Sequence, residues 1–164
     1  MDLAGLNAAP ADEARAALLS CCASKAWADA VVSLRPFGDG GDLTAAAERV
    51  WRGLTPDDWL EAFSAHPRIG EGIIGRNERW SRAEQATAMS AAREVLGTLA
   101  EWNRRYEERF GYRFLVFATG KTADEIIEEC RIRIENEPES ELRIAAAEQA
   151  EITDLRLRRL VGIG

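Results

Sequence analysis

A long amphipathic pattern decides the fold of this chain: residues 81–111 read SRAEQATAMSAAREVLGTLAEWNRRYEERFG. The opening Ser81-Arg82-Ala83-Glu84 is a capping box, in which two side chains bond backbone N–H groups that a helix start leaves unpaired. Apolar residues then recur every three or four positions, as on the core-facing side of a helix: Ala88, Ala92, Val95, Leu99, Trp102, Tyr106 and Phe110. Gly111 suits a helix C-terminus. The stretch therefore predicts one long helix over roughly 82–109.

Shorter helices are predicted before it. Residues 11–22 are rich in alanine, and Ser24 is placed to cap the short helix that follows. The proline and glycines of 35–41 predict a loop, after which Asp42 starts a helix that runs to about Gly53.

Thr55-Pro56-Asp57-Asp58 combines an N-cap threonine, a proline at the first helical position and acids in the first turn. That helix is predicted to end near His66-Pro67, because the residue before a proline disfavours helical geometry. The three glycines of 68–80 predict a long loop.

The C-terminal part contains one strand-like run, Phe114–Ala118, which we interpret as a buried extended segment because one strand cannot make a sheet. Thr122–Glu125 is a second capping box and opens a helix to about Asn136. Pro138 interrupts the chain, and a last helix is predicted over about 140–161.

These elements predict an all-α fold: a compact single domain, residues 1–164, of about six to eight helices with one buried extended segment near 114–118. The length suits one domain, and a hydrophobic fraction of 46% is enough for a core. Helices and strands do not alternate, so the α/β classes are disfavoured.

The formal net charge of −7 argues against a nucleic-acid or anionic-membrane partner, which would require a basic surface. No apolar run approaches the roughly 18 residues that span a bilayer. The first residues lack the basic region of a signal peptide, and the last four match no peroxisomal signal. A cytoplasmic location is the resulting prediction.

Three cysteines, Cys21, Cys22 and Cys130, do not form a disulfide framework, because their number is odd and two are adjacent. With His66 they match a Cys₃His zinc site only in number, since the usual ligand spacing is absent. We therefore predict no metal and buried, reduced thiols, which disfavours a zinc-dependent hydrolase.

His66 is the only histidine in the chain, and histidine is the side chain whose ordinary pKa is nearest neutral pH. It stands at a predicted helix-to-loop junction, where sites are often built on a rigid scaffold. The alternative is an ordinary polar residue that the helix dipole favours at a C-terminus.

Two further groups of residues have both a structural and a functional interpretation. Ser81 and Glu84 are explained by the capping box, yet the same helix start could present Glu84 and Gln85 to a polar ligand. Arg156 is one of three arginines within four residues, and a solvated cation near a helix end is the simpler interpretation.

Four motifs occur in order and with compatible spacing along the chain. They are His66-Pro67-Arg68-Ile69-Gly70, Ser81-x-x-Glu84-Gln85, Phe110-Gly111-Tyr112-Arg113-Phe114-Leu115-Val116 and Leu155-Arg156-Leu157. Together they resemble the family of 2-oxo-4-hydroxy-4-carboxy-5-ureidoimidazoline (OHCU) decarboxylases. The likeness covers nearly the whole chain, and the first two motifs are the specific ones.

The resemblance implies a cofactor-free, all-α homodimer that converts OHCU to (S)-allantoin and CO₂, the last step from urate. It implies two catalytic residues, His66 and Glu84. The implied substrate-binding residues are Pro67, Ser81, Gln85, Leu115, Val116, Phe117, Ala118, Thr119 and Arg156. Many relatives have another residue at Thr119, where the family uses backbone groups. The alternative function is a non-catalytic helical domain of the same fold that binds a small molecule.

Overall fold

The computed structural model describes residues 1–69 and 82–163, and within those ranges it contains eight helices and no strand, which confirms the all-α prediction. The helices are α1 (Leu3–Ala8), α2 (Ala11–Cys21), α3 (Lys25–Ser33), α4 (Gly40–Arg52), α5 (Pro56–Ser64), α6 (Arg82–Phe110), α7 (Ala123–Arg133) and α8 (Pro138–Val161). Contacts group the chain into two compact units, Met1–Ala65 with Leu142–Gly164, and His66–Glu141. None of the helices in the described ranges is both long enough and apolar enough to cross a membrane.

The core of the first unit is built around α3, whose start is capped by Ser24 as predicted. Trp27 is fully buried, and its indole N–H donates to the Ala47 carbonyl oxygen of α4 at 3.1 Å. Trp51 joins α4 to α8 in the same way, through a 2.8 Å bond to the Ala146 carbonyl oxygen. Both tryptophans thus bury their rings while the indole N–H groups remain paired, as burial of a polar atom requires.

The loop before α4 is shorter than predicted, because α4 begins at Gly40 and not at Asp42. Asp39 is the N-cap, and its carboxylate accepts the Asp42 N–H at 2.8 Å. The prediction placed the acidic residue of the first turn at the helix start and read the glycines as loop. The cap one residue before Gly40 outweighs the low helix propensity of glycine.

The start of α5 is confirmed: Thr55 is the N-cap, Pro56 is the first helical residue, and Thr55 and Asp58 form a capping box. The helix ends at Ser64, with Ala65 as its C-cap, so His66 follows the helix and does not belong to its last turn.

The second unit packs α6, α7 and the segment between them around one core of buried side chains: Leu99, Tyr106, Phe114, Val116, Ile126 and Cys130. The apolar stripe of α6 is confirmed in its C-terminal half, whereas Ala92 is exposed. The side chain of Ala88 lies outside the described ones. Gly111 ends the helix with a φ of +82°, a conformation that glycine adopts without strain.

The predicted extended segment is irregular backbone, and its buried part is limited to Phe114–Val116, since Phe117 is half-buried and Ala118 exposed. The Thr122 capping box is confirmed, but α7 ends at Arg133, before the predicted Asn136. Pro138 begins α8, two residues earlier than predicted, because proline at the first helical position gives up only an N–H group that has no helical partner.

Candidate active site

His66 is half-buried at the start of the second unit. Its backbone carbonyl oxygen accepts a hydrogen bond from the guanidinium of Arg113. Arg113 directly precedes the buried segment Phe114–Val116, so one side chain fastens the histidine backbone to the residue before that segment. The next residue, Pro67, is exposed.

The two residues after Pro67 are fixed to α6. Arg68 makes two hydrogen bonds to the carboxylate of Glu107, Nε to Oε1 at 2.9 Å and Nη2 to Oε2 at 3.1 Å. The amide of the buried Asn103 donates to the Ile69 carbonyl oxygen at 3.2 Å. The Arg68 side chain is 49% exposed, so the ion pair with Glu107 adds little to the free energy of unfolding and serves mainly to position Arg68 against α6. Together with the bond from Arg113, these contacts connect residues 66–69 to α6 and to the residue before the buried segment.

The segment implied to contact substrate, Leu115–Thr119, lies in the same unit. Leu115 and Val116 are buried, whereas Ala118 and Thr119 are exposed, so the segment runs from the core to the surface. The Leu115 carbonyl oxygen accepts a 2.8 Å bond from the buried Arg133. The second unit therefore contains His66, Pro67 and this segment as well as Glu84 and Gln85 of α6, and Arg113 connects the histidine to the segment.

The second motif is only partly described. Glu84 and Gln85 lie in the first turn of α6, but their side chains lie outside the described ones, and Ser81 lies outside the described residues. Both interpretations of Ser81 and Glu84, as a helix cap and as substrate contacts, therefore stand, and substrate binding by Gln85 stays a prediction.

Arg156 belongs to the first unit, where it is half-buried and donates to the Cys21 carbonyl oxygen at 3.2 Å. Its neighbour Arg158 instead pairs with Asp154 on its own helix, at 2.7 Å, with a side chain 43% exposed. Arg156 is thus only partly exposed to solvent, and its guanidinium donates to the last residue of α2. The predicted contact of Arg156 with substrate remains a prediction.

All three cysteines are buried free thiols, as predicted. Burial raises the pKa of the Cys22 thiol to about 11 and that of Cys130 to about 12. Both stay protonated at neutral pH and are therefore poor nucleophiles. Within the described ranges, no group of three or more histidine, cysteine or acidic side chains is arranged to hold a metal ion.

The sequence analysis missed a buried polar cluster in the second unit, formed by Arg133, Glu141, Tyr106 and Asn136. The Glu141 carboxylate is fully buried and accepts from Arg133 Nε at 2.7 Å, from the Tyr106 hydroxyl at 2.5 Å and from Asn136 Nδ2 at 2.9 Å. Arg133 and Glu141 are eight residues apart and lie on different helices. No helical spacing rule relates two such positions, so the pair has no local signal.

The fold and the site define an all-α protein whose lone histidine follows a helix end and is fastened to a buried irregular segment. A family model described as OHCU decarboxylase matches residues 7–158, and the chain belongs to that family.

Individual relatives agree with this membership. The chain is 38% identical over 145 residues to the uric acid degradation bifunctional protein TTL of Arabidopsis thaliana, covering 85% of this chain and 45% of that protein. It therefore spans less than half of the Arabidopsis protein. It is also 39% identical over 151 residues to the 2-oxo-4-hydroxy-4-carboxy-5-ureidoimidazoline decarboxylase of Mus musculus, covering 82% of this chain and 78% of the mouse protein.

A solved structure described as OHCU decarboxylase in the presence of (S)-allantoin superposes with a TM-score of 0.72 at 36% identity. The superposition covers 88% of this chain and 96% of the solved one. A second structure, described as (S)-allantoin synthase, has a TM-score of 0.71 at 18% identity and supports the fold alone.

Proposed function

We propose that this chain decarboxylates OHCU to (S)-allantoin and CO₂, the last step in the conversion of urate to allantoin. The observation that carries the proposal is the family match over residues 7–158, which contains every residue of the implied site, from His66 to Arg156. The bond from Arg113 to the His66 carbonyl oxygen supports it, because this bond connects two parts of the implied site, the histidine and the segment that begins shortly after Arg113.

The chemistry requires a place for the electrons that CO₂ leaves behind. The substrate carboxylate stands on a ring carbon that also bears a hydroxyl, and the conjugated ring holds those electrons as an enolate-like intermediate. The reaction therefore does not require a pyridoxal or metal electron sink. The enzyme has to turn the carboxylate out of the ring plane, stabilise the developing anion and deliver a proton to one face.

His66 is the proposed proton-transfer group. It first engages the substrate hydroxyl or carboxylate and then acts as an acid, a role typically worth about 10²–10⁴-fold in rate. The bonds from Arg113 to His66, from Arg68 to Glu107 and from Asn103 to Ile69 support this role, because they hold the backbone that carries the imidazole and proton transfer depends on its position.

The remaining site residues bind the substrate. Arg156 pairs with substrate charge through its forked donors, and Ser81 and Gln85 hold the ureido and ring groups. Glu84 accepts substrate N–H bonds and takes part in catalysis. The backbone of Leu115–Thr119 supplies the remaining contacts, with Pro67 beside the histidine.

The same family membership supports a single domain over residues 1–164 that acts as a cofactor-free homodimer in the cytoplasm. Cell fractionation checks the location, and recovery of the protein with membranes or in a secreted fraction would contradict it.

The test of the proposed activity is circular dichroism of the allantoin formed from freshly generated OHCU. We expect rapid, optically active (S)-allantoin from the wild type. The His66→Asn variant should keep the fold and lose about 10²–10⁴-fold in turnover, as the loss of a proton-transfer group predicts.

Ser64→Ala is the matched control. Ser64 is exposed two residues before His66, and its hydroxyl donates to the Glu61 carbonyl oxygen in the preceding turn of α5, at 2.7 Å. That variant should keep normal turnover. Racemic product at the uncatalysed rate from a well-folded wild type would instead favour the non-catalytic binding domain.

A further inference from the structure

Arg133 and Glu141 form a buried ion pair in the second unit, with exposures of 4% and 0%. Glu141 already has three donors, namely Arg133, Tyr106 and Asn136, so its charge is compensated within the pair and its surroundings. A pair of this kind adds little net stability, because removing two charges from water costs about as much as their attraction returns. Its position in the core therefore requires another explanation.

Nη2 of Arg133 also lies beside Glu141, 2.6 Å from Oε1, whereas Nη1 faces the segment that is implied to contact substrate. Nη1 donates to the Leu115 carbonyl oxygen at 2.8 Å, and the guanidinium lies over the Phe114 ring at 4.6 Å from its centroid. Nη1 also lies 3.4 Å from Glu129 one turn earlier on α7. Arg133 thus contacts both the backbone and a side chain of the segment. Glu141 binds the same guanidinium through Nε.

The bond to Leu115 also fixes the next backbone donor. The peptide that joins Leu115 to Val116 is planar and trans, so its C=O and N–H point in opposite directions. With the carbonyl directed at Arg133, the Val116 N–H is directed away from it. In the parts of the chain that the structure describes, that N–H makes no hydrogen bond.

We propose that Arg133, held by Glu141, is a positioning residue that sets the orientation of the Leu115–Val116 peptide for substrate binding. Arg133 does not touch the substrate; it acts through the backbone whose carbonyl it holds. This inference rests on the proposed function, because the ligand of the segment is OHCU.

The test neutralises the pair without leaving a buried charge. In the double variant Arg133→Met/Glu141→Gln, the glutamine retains an acceptor for Tyr106, and methionine fills the space of the arginine stem. We expect the melting temperature to stay within a few degrees of the wild type, since such replacements are often neutral. The KM for OHCU should rise about 10- to 100-fold, the effect of one misplaced hydrogen bond in the site, with a smaller change in kcat.

The matched control is Arg131→Met/Glu128→Gln, the same chemical change in a surface pair of the same helix. Those side chains are 57% and 52% exposed, with Nη2 and Oε1 2.7 Å apart. Its KM should equal that of the wild type. A merely structural role of Arg133 would lower the melting temperature and leave the KM of the folded fraction unchanged.

Each outcome is decisive. A folded double variant with a wild-type KM overturns the inference while the wild type remains active. A wild type that does not decarboxylate OHCU contradicts the proposed function itself. If the double variant does not fold, Arg133→Lys replaces it, because one ammonium cannot hold Glu141 and Leu115 in the fixed geometry of the fork. The KM of that variant should rise likewise, and an unchanged KM overturns the inference.

Discussion

Cys130 is a single buried group whose titration should be visible in the stability of the protein. It is fully buried, and its thiol lies 3.7 Å from the Trp102 carbonyl oxygen. Burial raises its pKa from the ordinary 9.0 to about 12. Below pH 9 both the folded and the unfolded chain keep the proton. Between pH 9 and 12 only the unfolded chain loses it, so the stability that this thiol contributes falls as pH rises.

We therefore expect the difference in free energy of unfolding between wild type and Cys130→Ala to shrink by about 1.4 kcal/mol from pH 8 to pH 10. At pH 8 the wild type is the more stable, because alanine leaves a small cavity. Urea unfolding at several pH values measures the difference, and groups that titrate in both proteins cancel. If the difference in free energy of unfolding between the two proteins does not vary with pH, the raised pKa of Cys130 is contradicted.

Two glycines of the α6 region should respond in opposite ways to the same added methyl group. Gly97 lies inside the helix and Gly111 ends it with φ +82°, and a Cβ built at either position meets no described atom within 4 Å. Gly97→Ala should stabilise the protein by about 0.5–1 kcal/mol, because alanine favours the helix. Gly111→Ala should destabilise it by about 1–2 kcal/mol, since left-handed backbone is strained for alanine.

Chemical denaturation of the two variants beside the wild type measures both changes. Each variant serves as the control for the other, because both add one methyl group without a clash. If both substitutions change the free energy of unfolding in the same direction, local backbone conformation does not decide their effect on stability.

The elements predicted well are those that carry their signal locally. The capping boxes at Thr55 and Thr122, the cap at Ser24 and the glycine at the end of α6 each involve residues within a few positions of one another. The helix periodicity and caps therefore sufficed for the fold class. The start of α4 was misplaced because two competing signals, the Asp39 cap and the glycines, lie at adjacent positions.

The site was predicted unevenly for the same reason. His66 was found as the only histidine of the chain, and its place after the end of α5 followed from Pro67, whereas most of the predicted loop over 68–80 lies outside the described residues. The contacts that orient it were not found, because the Arg113–His66 bond joins residues 47 positions apart. The Arg133–Glu141 pair and the bond from Arg156 to Cys21 likewise depend on the three-dimensional packing of separate helices.

At the scale of the whole molecule, the proposed single domain and the proposed homodimer each make a prediction for thermal unfolding. Far-UV circular dichroism and tryptophan fluorescence should give the same thermal midpoint, as expected for one cooperative transition. That midpoint should rise with protein concentration, because dissociation of a dimer accompanies unfolding. Two separate transitions would contradict the single domain, and a midpoint independent of concentration would contradict the dimer.

The make-up of the first unit has a consequence for synthesis on the ribosome. Its helices α1–α5 emerge first, but the unit also includes residues from Leu142 onward, and Trp51 takes its indole acceptor from Ala146, 95 positions later. At a translation rate of about 5–20 residues per second, those helices wait on the order of 5–20 s for α8. During that interval the nascent chain exposes apolar surface that the finished protein covers. Mutations that loosen α8 should therefore reduce the yield of folded protein in cells more than they reduce the stability of the purified protein.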